Sequence, residues 1–246
     1  MRSRLDVEMT RRGLAESRQL AQRLIMAGRV RVNSRPASKP DLKVDETAVI
    51  AVVGQTREWA SRGAYKLIAA LDHFAIDPTE RLALDIGAST GGFTDVLLRR
   101  RAKHVIALDV GYGQLAEHLR VDARVTVMDR TNIRHVKPKA LPYRPHLIVI
   151  DASFISLKLV LPAAIDLCAR PADLIALVKP QFEVGKNQVG KGGIVRDTAL
   201  REAALNDVTD AAQSLGLEFR GQIESPITGA SGNHEFLIWL IARCTP

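Results

Sequence analysis

The sequence predicts an α/β fold, an open and mostly parallel sheet with crossover helices, preceded by a small α+β module. Three observations carry that expectation. From residue 62 onward, apolar strand-like runs alternate with amphipathic helical stretches, the pattern of a sheet whose connections cross over its faces. Hydrophobic residues make up 46% of the 246-residue chain and charged residues 25%, enough for a real core in a soluble protein. Finally, charge is unevenly placed: residues 1–40 hold ten Arg or Lys against only Asp6, Glu8 and Glu16, although the whole chain carries just +8.

Within the first module, "LDVEMTRRG" reads as a short helix closed by Gly13. In "SRQLAQRLIMAG", Ser17 is placed to cap a helix, Gly28 to end it, and Leu20, Ala21, Leu24 and Ile25 to face inward. That spacing puts Arg18, Gln22 and Arg23 on the outer face. "RVRVN" alternates as a strand, "NSRP" is a turn, and "TAVIAVV" (47–53) returns as a strand. A basic excess in one small module points to phosphate neutralisation, with Arg4, Arg11, Arg12, Arg18, Arg23, Arg29 and Arg31 as candidates and Arg62 joining them. No aromatic residue precedes Trp59, so RNA would be held there by backbone and shape rather than by stacking.

The boundaries expected are 1–56 for the basic module, 57–60 for a linker and 61–246 for the α/β domain. Its seven strands are "LALDIG" (82–87), "HVIALDV" (104–110), "VTVMD" (125–129), "HLIVIDASF" (146–154), "DLIALVKPQF" (173–182), "LEFRGQIE" (217–224) and "EFLIWLIAR" (235–243). Helices, among them "GGFTDVLLRRRA" and "RDTALREAALNDVTDAAQSLG", fill most gaps. Trp59 is expected to pack at the junction and relay RNA engagement onward, and Ser61 to cap the helix that carries Lys66. Cys168 and Cys244 are too few and too far apart for a disulfide framework or zinc site, so no metal is expected. The start "MRSRLDVEMTRRG" lacks a signal-type apolar stretch, and "FLIWLIA" falls far short of the ~20 residues that span a bilayer. A cytoplasmic protein without a membrane partner is expected.

The most informative stretch is "LALDIGASTGGFTDVLL". An apolar strand ends at Asp85, and the small-residue loop Gly87, Ala88, Ser89, Gly91, Gly92 with Phe93 leads into a helix, allowing a ligand close to the backbone. The next two strands end in Asp109, suited to ribose hydroxyls, and Asp129, placed for an adenine edge. Acids closing three successive strands form the pattern of an S-adenosyl-L-methionine site. "GKNQVGKG" (185–192) mimics a phosphate-binding loop but has Gly192 where Ser or Thr would hold magnesium, and reads instead as a basic loop over the site's edge. The fourth and fifth strands end in Asp151 and Lys179, and the last opens with Glu235. If that last strand runs antiparallel, all three converge at the crevice where open α/β sheets bind ligands, and the preceding helix can bring Lys66 there.

Lys66, Asp151, Lys179 and Glu235 resemble the Lys-Asp-Lys-Glu tetrad of FtsJ-type ribose 2′-O-methyltransferases. The basic module resembles the small RNA-binding domain shared with a small-subunit ribosomal protein and many pseudouridine synthases. Together with "SRGAYKL", "DIGASTGGFTD", "DASFISL", "VKPQFE" and "GNHEFL", the whole chain is similar to the TlyA family, once labelled haemolysins. The resemblance implies a Rossmann-like sheet whose seventh strand is antiparallel, S-adenosyl-L-methionine as cofactor (with Asp151 also at its reactive end), and 2′-O-methylation of cytidine in ribosomal RNA. Some members of the family act on both subunits and shorter ones on the large-subunit RNA alone. With little sequence before the first module and none to spare after the last strand, large-subunit RNA is the expectation and small-subunit RNA the alternative. "GASTGGF" departs from the broader pattern, which has Pro before the glycines and Trp after them; Phe93 is expected to pack against the cofactor instead.

The chemistry asked of these residues is specific. A ribose hydroxyl is a poor nucleophile near neutral pH, and a lysine between other cations and low-dielectric walls can have a lowered pKa and take its proton. Lys179 is expected to do so, with Lys66 orienting the ribose or stabilising charge, Asp151 holding the lysine and the cofactor end, and Glu235 tuning the second lysine; the choice of base between the two lysines stays open. A base N-methyltransferase is the nearest alternative, but "DASF" lacks the prolines of the amino-gripping loop. A 5-methylcytosine enzyme would need a nucleophilic Cys at a strand end, whereas Cys168 lies in a helical stretch. The complete tetrad argues against a non-catalytic ribosome-assembly protein, and no spanning or barrel-like segment supports membrane lysis.

Overall fold

The computed structural model describes residues 2–15, 17–53 and 58–243; Arg57 of the expected linker and Cys244 lie outside them. The chain divides into two compact units, residues 1–58 and 59–246.

In the first unit, β1 (Ser3–Arg4) leads into α1 (Leu5–Arg11), followed by α2 (Arg18–Met26), β2 (Val30–Val32), β3 (Arg35–Ala37), β4 (Lys43–Val44) and β5 (Ile50–Val52). β1 pairs with β4, while β3, β2 and β5 form an antiparallel sheet. Ser17 caps α2 by accepting the Leu20 amide at 3.2 Å, as its position predicts. Asn33 and Ser34 both have positive φ, the geometry of a tight hairpin turn between β2 and β3. The expected strand over 47–53 contracts to Ile50–Val52 because Asp45 and Thr47 form a turn before it. Leu5, Met9, Ala21, Ile25 and Val30 are fully buried and make this unit's own core.

The second unit opens with α3 (Gly63–His73) and β6 (Leu82–Ile86), then α4 (Gly92–Arg99), β7 (His104–Leu108), α5 (Glu117–Arg120), β8 (Val125–Met128) and β9 (Leu147–Ile150). It continues with α6 (Leu157–Leu167), β10 (Ala172–Val178), α7 (Pro180–Glu183), α8 (Thr198–Ser214), β11 (Leu217–Glu224) and β12 (Phe236–Ala242). The sheet order is β8-β7-β6-β9-β10-β12-β11, parallel from β8 through β10, with β12 antiparallel to both neighbours. Alternation along each strand feeds two cores. Leu84, Ile86, Leu174 and Val178 meet Val160, Leu161 and Val208 of α6 and α8 on one face. Ala83, Ile175 and Leu177 meet Leu67, Leu71, Val96 and Leu97 of α3 and α4 on the other. Burying each such aliphatic side chain contributes about 1.5–3 kcal/mol, so this doubly covered sheet is a rigid platform. Strand order reverses beside β6, whose neighbours β7 and β9 lead away in opposite directions, which opens a crevice at the strand ends.

Two expectations about the entry to this unit need correcting. Trp59 and Ala60 are built into the second unit rather than forming a spacer. The Arg99 guanidinium lies 4.3 Å over the Trp59 ring, and the Ala60 amide donates to buried Asp95 at 2.8 Å. Ser61 does not cap α3 with its side chain: Arg62 is the N-cap, already in helical conformation. Gly92 is the reason, since a β-carbon there would overlap Ser61 Oγ, so that hydroxyl is held against α4. Cys168 ends α6 and is buried in the core, as expected.

Candidate active site

Strand register brings the charged strand ends together. β10 pairs Val178 with Phe236, so Lys179 and Glu235 step off neighbouring strands at the same edge. β6 pairs Ile86 with Ile150, so Gly87 and Asp151 leave the sheet side by side, and the Asp151 amide donates to the Ile86 carbonyl at 2.9 Å. Gly87 has φ +85°, and a β-carbon there would sit 2.7 Å from the Asp151 carbonyl oxygen. On α3, Gly63 lies against both Asp151 and Phe93, and Lys66 one turn on faces inward.

The four residues form two ion pairs. Lys179 Nζ lies 2.6 Å from Asp151 Oδ1 and donates to Ser153 Oγ at 2.7 Å. Lys66 Nζ donates to Glu235 Oε2 at 2.5 Å. Both lysines are 8% exposed and Glu235 only 2%, so three of the four charges are shielded from solvent. Gly229 makes room for Glu235, since a β-carbon there would overlap Oε1. Asn233, also buried, accepts the Val195 amide at 2.9 Å and donates to the Gly193 carbonyl at 2.8 Å, tying the 190–195 loop to the loop that presents Glu235. That 185–195 stretch forms a bridged turn with no following helix until Thr198, unlike a nucleotide-binding loop.

Beside the pairs lies a crevice of about 620 Å³, the size of a small-molecule site. Among the cofactor candidates, Gly87, Ser89, Asp109 and Asp151 line it. Asp109 is fixed by the amides of Ser89 at 2.8 Å and Gly111 at 2.7 Å. Asp85, Ala88, Gly91, Gly92, Phe93 and Asp129 are absent from the lining among the described residues. Asp85 is fully buried and accepts Thr94 Oγ1 at 2.7 Å; burial pushes its carboxyl up to about 7, and its Oδ1 has no hydrogen-bond partner among the described residues. Gly91, at φ +96°, makes room for Leu115 and Leu119, while Phe93 packs in the α3–α4 core. Asp129 is held by Arg120 at 3.1 Å and the Gly113 amide at 3.0 Å. Sequence reasoning missed the rest of the lining, notably Gln114, Asn132, Arg134 and Phe154. "GYGQ" and "TNIR", both loops just past strands, were the available signal for the first three. Phe154 is 91% exposed at φ +63°, a strained backbone for a bulky residue, and its ring lies 5.1 Å from that of Phe182.

The model of the FtsJ-like methyltransferases matches residues 59–242, and that of the S4 domain matches residues 3–50. The 16S/23S rRNA (cytidine-2′-O)-methyltransferase TlyA of Mycobacterium tuberculosis is 54% identical over 240 residues, 97% of this chain and 90% of that protein. This chain belongs to the TlyA family of FtsJ-like methyltransferases. The TlyA 23S rRNA (cytidine-2′-O)-methyltransferase of Campylobacter jejuni is 36% identical over 74% of this chain and 71% of its own length. A solved structure of a haemolysin-labelled protein from Streptococcus thermophilus superposes with a TM-score of 0.81 at 42% identity, covering 100% of this chain and 90% of that one.

In this TlyA-family chain, the S4 module sorts its arginines by physics rather than by count. Asp6, fully buried, accepts Arg4 at 3.0 and 3.1 Å, Arg18 at 3.1 Å and Gln22 at 2.8 Å. Glu8, 2% exposed, accepts Arg11 and Arg12, each as close as 2.6 Å. These guanidiniums hold the Asp6 and Glu8 carboxyls well below the usual carboxylate range, led by Arg4 and Arg11 respectively. Arg18, expected on the outer face, is exposed there while its guanidinium reaches Asp6, and Gln22 is half-buried against the same carboxylate. Arg12 also donates to the carbonyls of Asp45, Glu46 and Ala48, which makes it a structural clamp. Arg23 and Arg31 are exposed and have no ion pair or hydrogen bond among the described residues, whereas Arg62 donates to the Thr228 carbonyl at 3.3 Å. Within the described residues, no helix is long and apolar enough to cross a membrane, and no cluster of metal-ligating side chains occurs.

Proposed function

We propose that this TlyA-family methyltransferase moves a methyl group from S-adenosyl-L-methionine to the 2′-hydroxyl of a cytidine in ribosomal RNA, acting on RNA of both subunits in the cytoplasm. The single observation that carries the reading is the pairing of two buried lysines with two carboxylates at the switch-point edge, beside a crevice of cofactor size. The cytidine, the ribose position and the subunits come from the names of the Mycobacterium and Campylobacter relatives.

The crevice suits the cofactor chemically: Asp109 offers acceptors for ribose hydroxyls, Ser89, Gln114 and Asn132 offer polar contacts, and Leu108 and Val110 offer an apolar wall for a flat base. When bound there, S-adenosyl-L-methionine supplies an electrophilic methyl group on sulfonium. Lys179 receives the hydroxyl proton. Lys179 Nζ donates to Ser153 Oγ and lies 2.6 Å from Asp151, which together hold the amine at the strand end where the ribose would meet it. Lys66, held by Glu235, stabilises the oxygen as negative charge develops on it. Phe154, its ring against that of Phe182, gives the target base a face to stack on. Rigid alignment supplies much of the acceleration, and the two-sided core beneath the strand ends provides it.

Incubating the protein with separated ribosomal subunits and labelled S-adenosyl-L-methionine, then mapping alkali-resistant positions, tests this directly. Label is expected on cytidine ribose in both subunits; label on a base would overturn the reading. The S4 module makes a second, independent prediction. Changing Arg23 and Arg31 together to Gln should flatten the slope of log affinity against log salt by roughly 1.5, since each phosphate contact contributes about 0.7–0.9. Arg12→Gln should instead lower the melting temperature while leaving that slope nearly unchanged.

A further inference from the structure

Parallel strands β9 and β10 pair residues such as Ile150 and Ala176, which are 26 apart in sequence. Their backbones separate after that, yet side chains continue the pairing at nearly the same offset. Lys179 reaches Asp151 and Ser153, Phe182 meets Phe154, and Glu183 reaches Ser156 and Leu157. The last contacts are tight: Ser156 Oγ donates to Glu183 Oε2 at 2.6 Å, and the Leu157 amide donates to Oε1 at 2.8 Å. The short helix α7 makes this possible, because Lys179 and Glu183 are four residues apart across one turn and face the same loop. Ser156 is also the N-cap of α6, accepting the Lys158 amide at 3.2 Å, so the far end of the ladder is anchored to a helix in the core.

We infer that Glu183 is a positioning residue, the lock of a side-chain ladder that extends the β9–β10 pairing beyond the sheet and holds Lys179 in register with Asp151 and Phe154. It takes no proton and touches no reacting atom. Burial raises the Glu183 pKa, a cost offset by the two hydrogen bonds it accepts. The inference rests on the functional reading of Lys179 given above. Without the lock, α7 is free to rotate about Pro180, and Lys179 and Phe182 move with it.

The test uses full-length protein on ribosomal subunits, with single-turnover rates, cofactor dissociation constants and hydrogen exchange. Glu183→Ala is expected to slow transfer about 10- to 100-fold, the cost of a misplaced group, with cofactor affinity unchanged within about twofold. Glu183→Gln keeps an acceptor for the Leu157 amide and should recover most of the rate. Exchange of segments 151–157 and 179–183 should rise together in Glu183→Ala and not in Glu183→Gln. A Glu183→Ala rate equal to wild type, equal losses in both variants, or a rate loss matched by lost cofactor affinity would each overturn the ladder. Should Glu183→Ala not fold, Glu183→Asp keeps the charge but withdraws it from Ser156 and the Leu157 amide, leaves the α6 cap in place, and is read the same way. Absence of ribose methylation by the wild type would overturn the functional reading instead, and the exchange result would still decide the ladder.

Discussion

Lys179→Ala is expected to lower the single-turnover rate by about 10³-fold, within the 10²–10⁴ range of a positioned proton acceptor. Cofactor affinity should stay within about twofold, because Asp109, Ser89 and Gln114, which line the crevice, do not depend on the lysine for their placement. The variant leaves Asp151 without its cation. Asp151 retains 22% side-chain exposure and can recruit water, so the expected loss of stability is about 1–2 kcal/mol rather than the 3–5 kcal/mol of a fully buried broken pair. Single-turnover kinetics and cofactor titration measure the two arms separately. A rate that falls only in step with cofactor affinity would move the chemistry away from Lys179.

The second pair behaves differently because of its surroundings. Glu235 and Lys66 have side chains 3% and 10% exposed, and the missing β-carbon of Gly229 gives the Glu235 carboxylate its place. In the proposed reaction, Lys66 would stabilise the developing oxyanion, while Lys179, with a hydroxyl partner as well as a carboxylate, would take the proton. Two lysines with similar burial acquire different chemistry from their partners.

Much of this was legible in the sequence, for a physical reason. Apolar runs that end in a charged residue mark strand ends, and Asp85, Asp109, Asp151 and Lys179 stood out that way. Which lysine meets which acid was not legible, since that depends on the Val178–Phe236 register and on where α3 lies. Gly91, Gly92 and Phe93 looked like ligand-facing loop residues because a missing β-carbon does not reveal what fills its place. In the fold, Leu119 and Ser61 fill it. The partners of the S4 module's arginines were hidden for a related reason: net charge includes Asp6 and Glu8 but says nothing of their burial. Phe154 escaped notice because its exposure and left-handed backbone are properties of the fold alone.

Gly87→Ala is expected to cost about 2–4 kcal/mol, the sum of two separable penalties. Holding alanine at φ +85° costs roughly 1–2 kcal/mol, the usual left-handed penalty for a residue with a β-carbon. The new carbon, 2.7 Å from the Asp151 carbonyl oxygen and 2.9 Å from its carbon, must also push the ends of β6 and β9 apart, and those atoms are backbone with little freedom to yield. The melting temperature should fall by about 5–15 °C. Cofactor affinity should fall with it, since Gly87 and Asp151 both line the crevice. Gly113→Ala is the matched control: φ is +64°, yet nothing lies within 4 Å of the added carbon, so only the conformational penalty applies. Thermal melting and cofactor titration of the two variants side by side separate strain from collision. Equal losses in both would mean that the close approach of the two strand ends contributes nothing, and that Gly87 is needed only for its backbone angle.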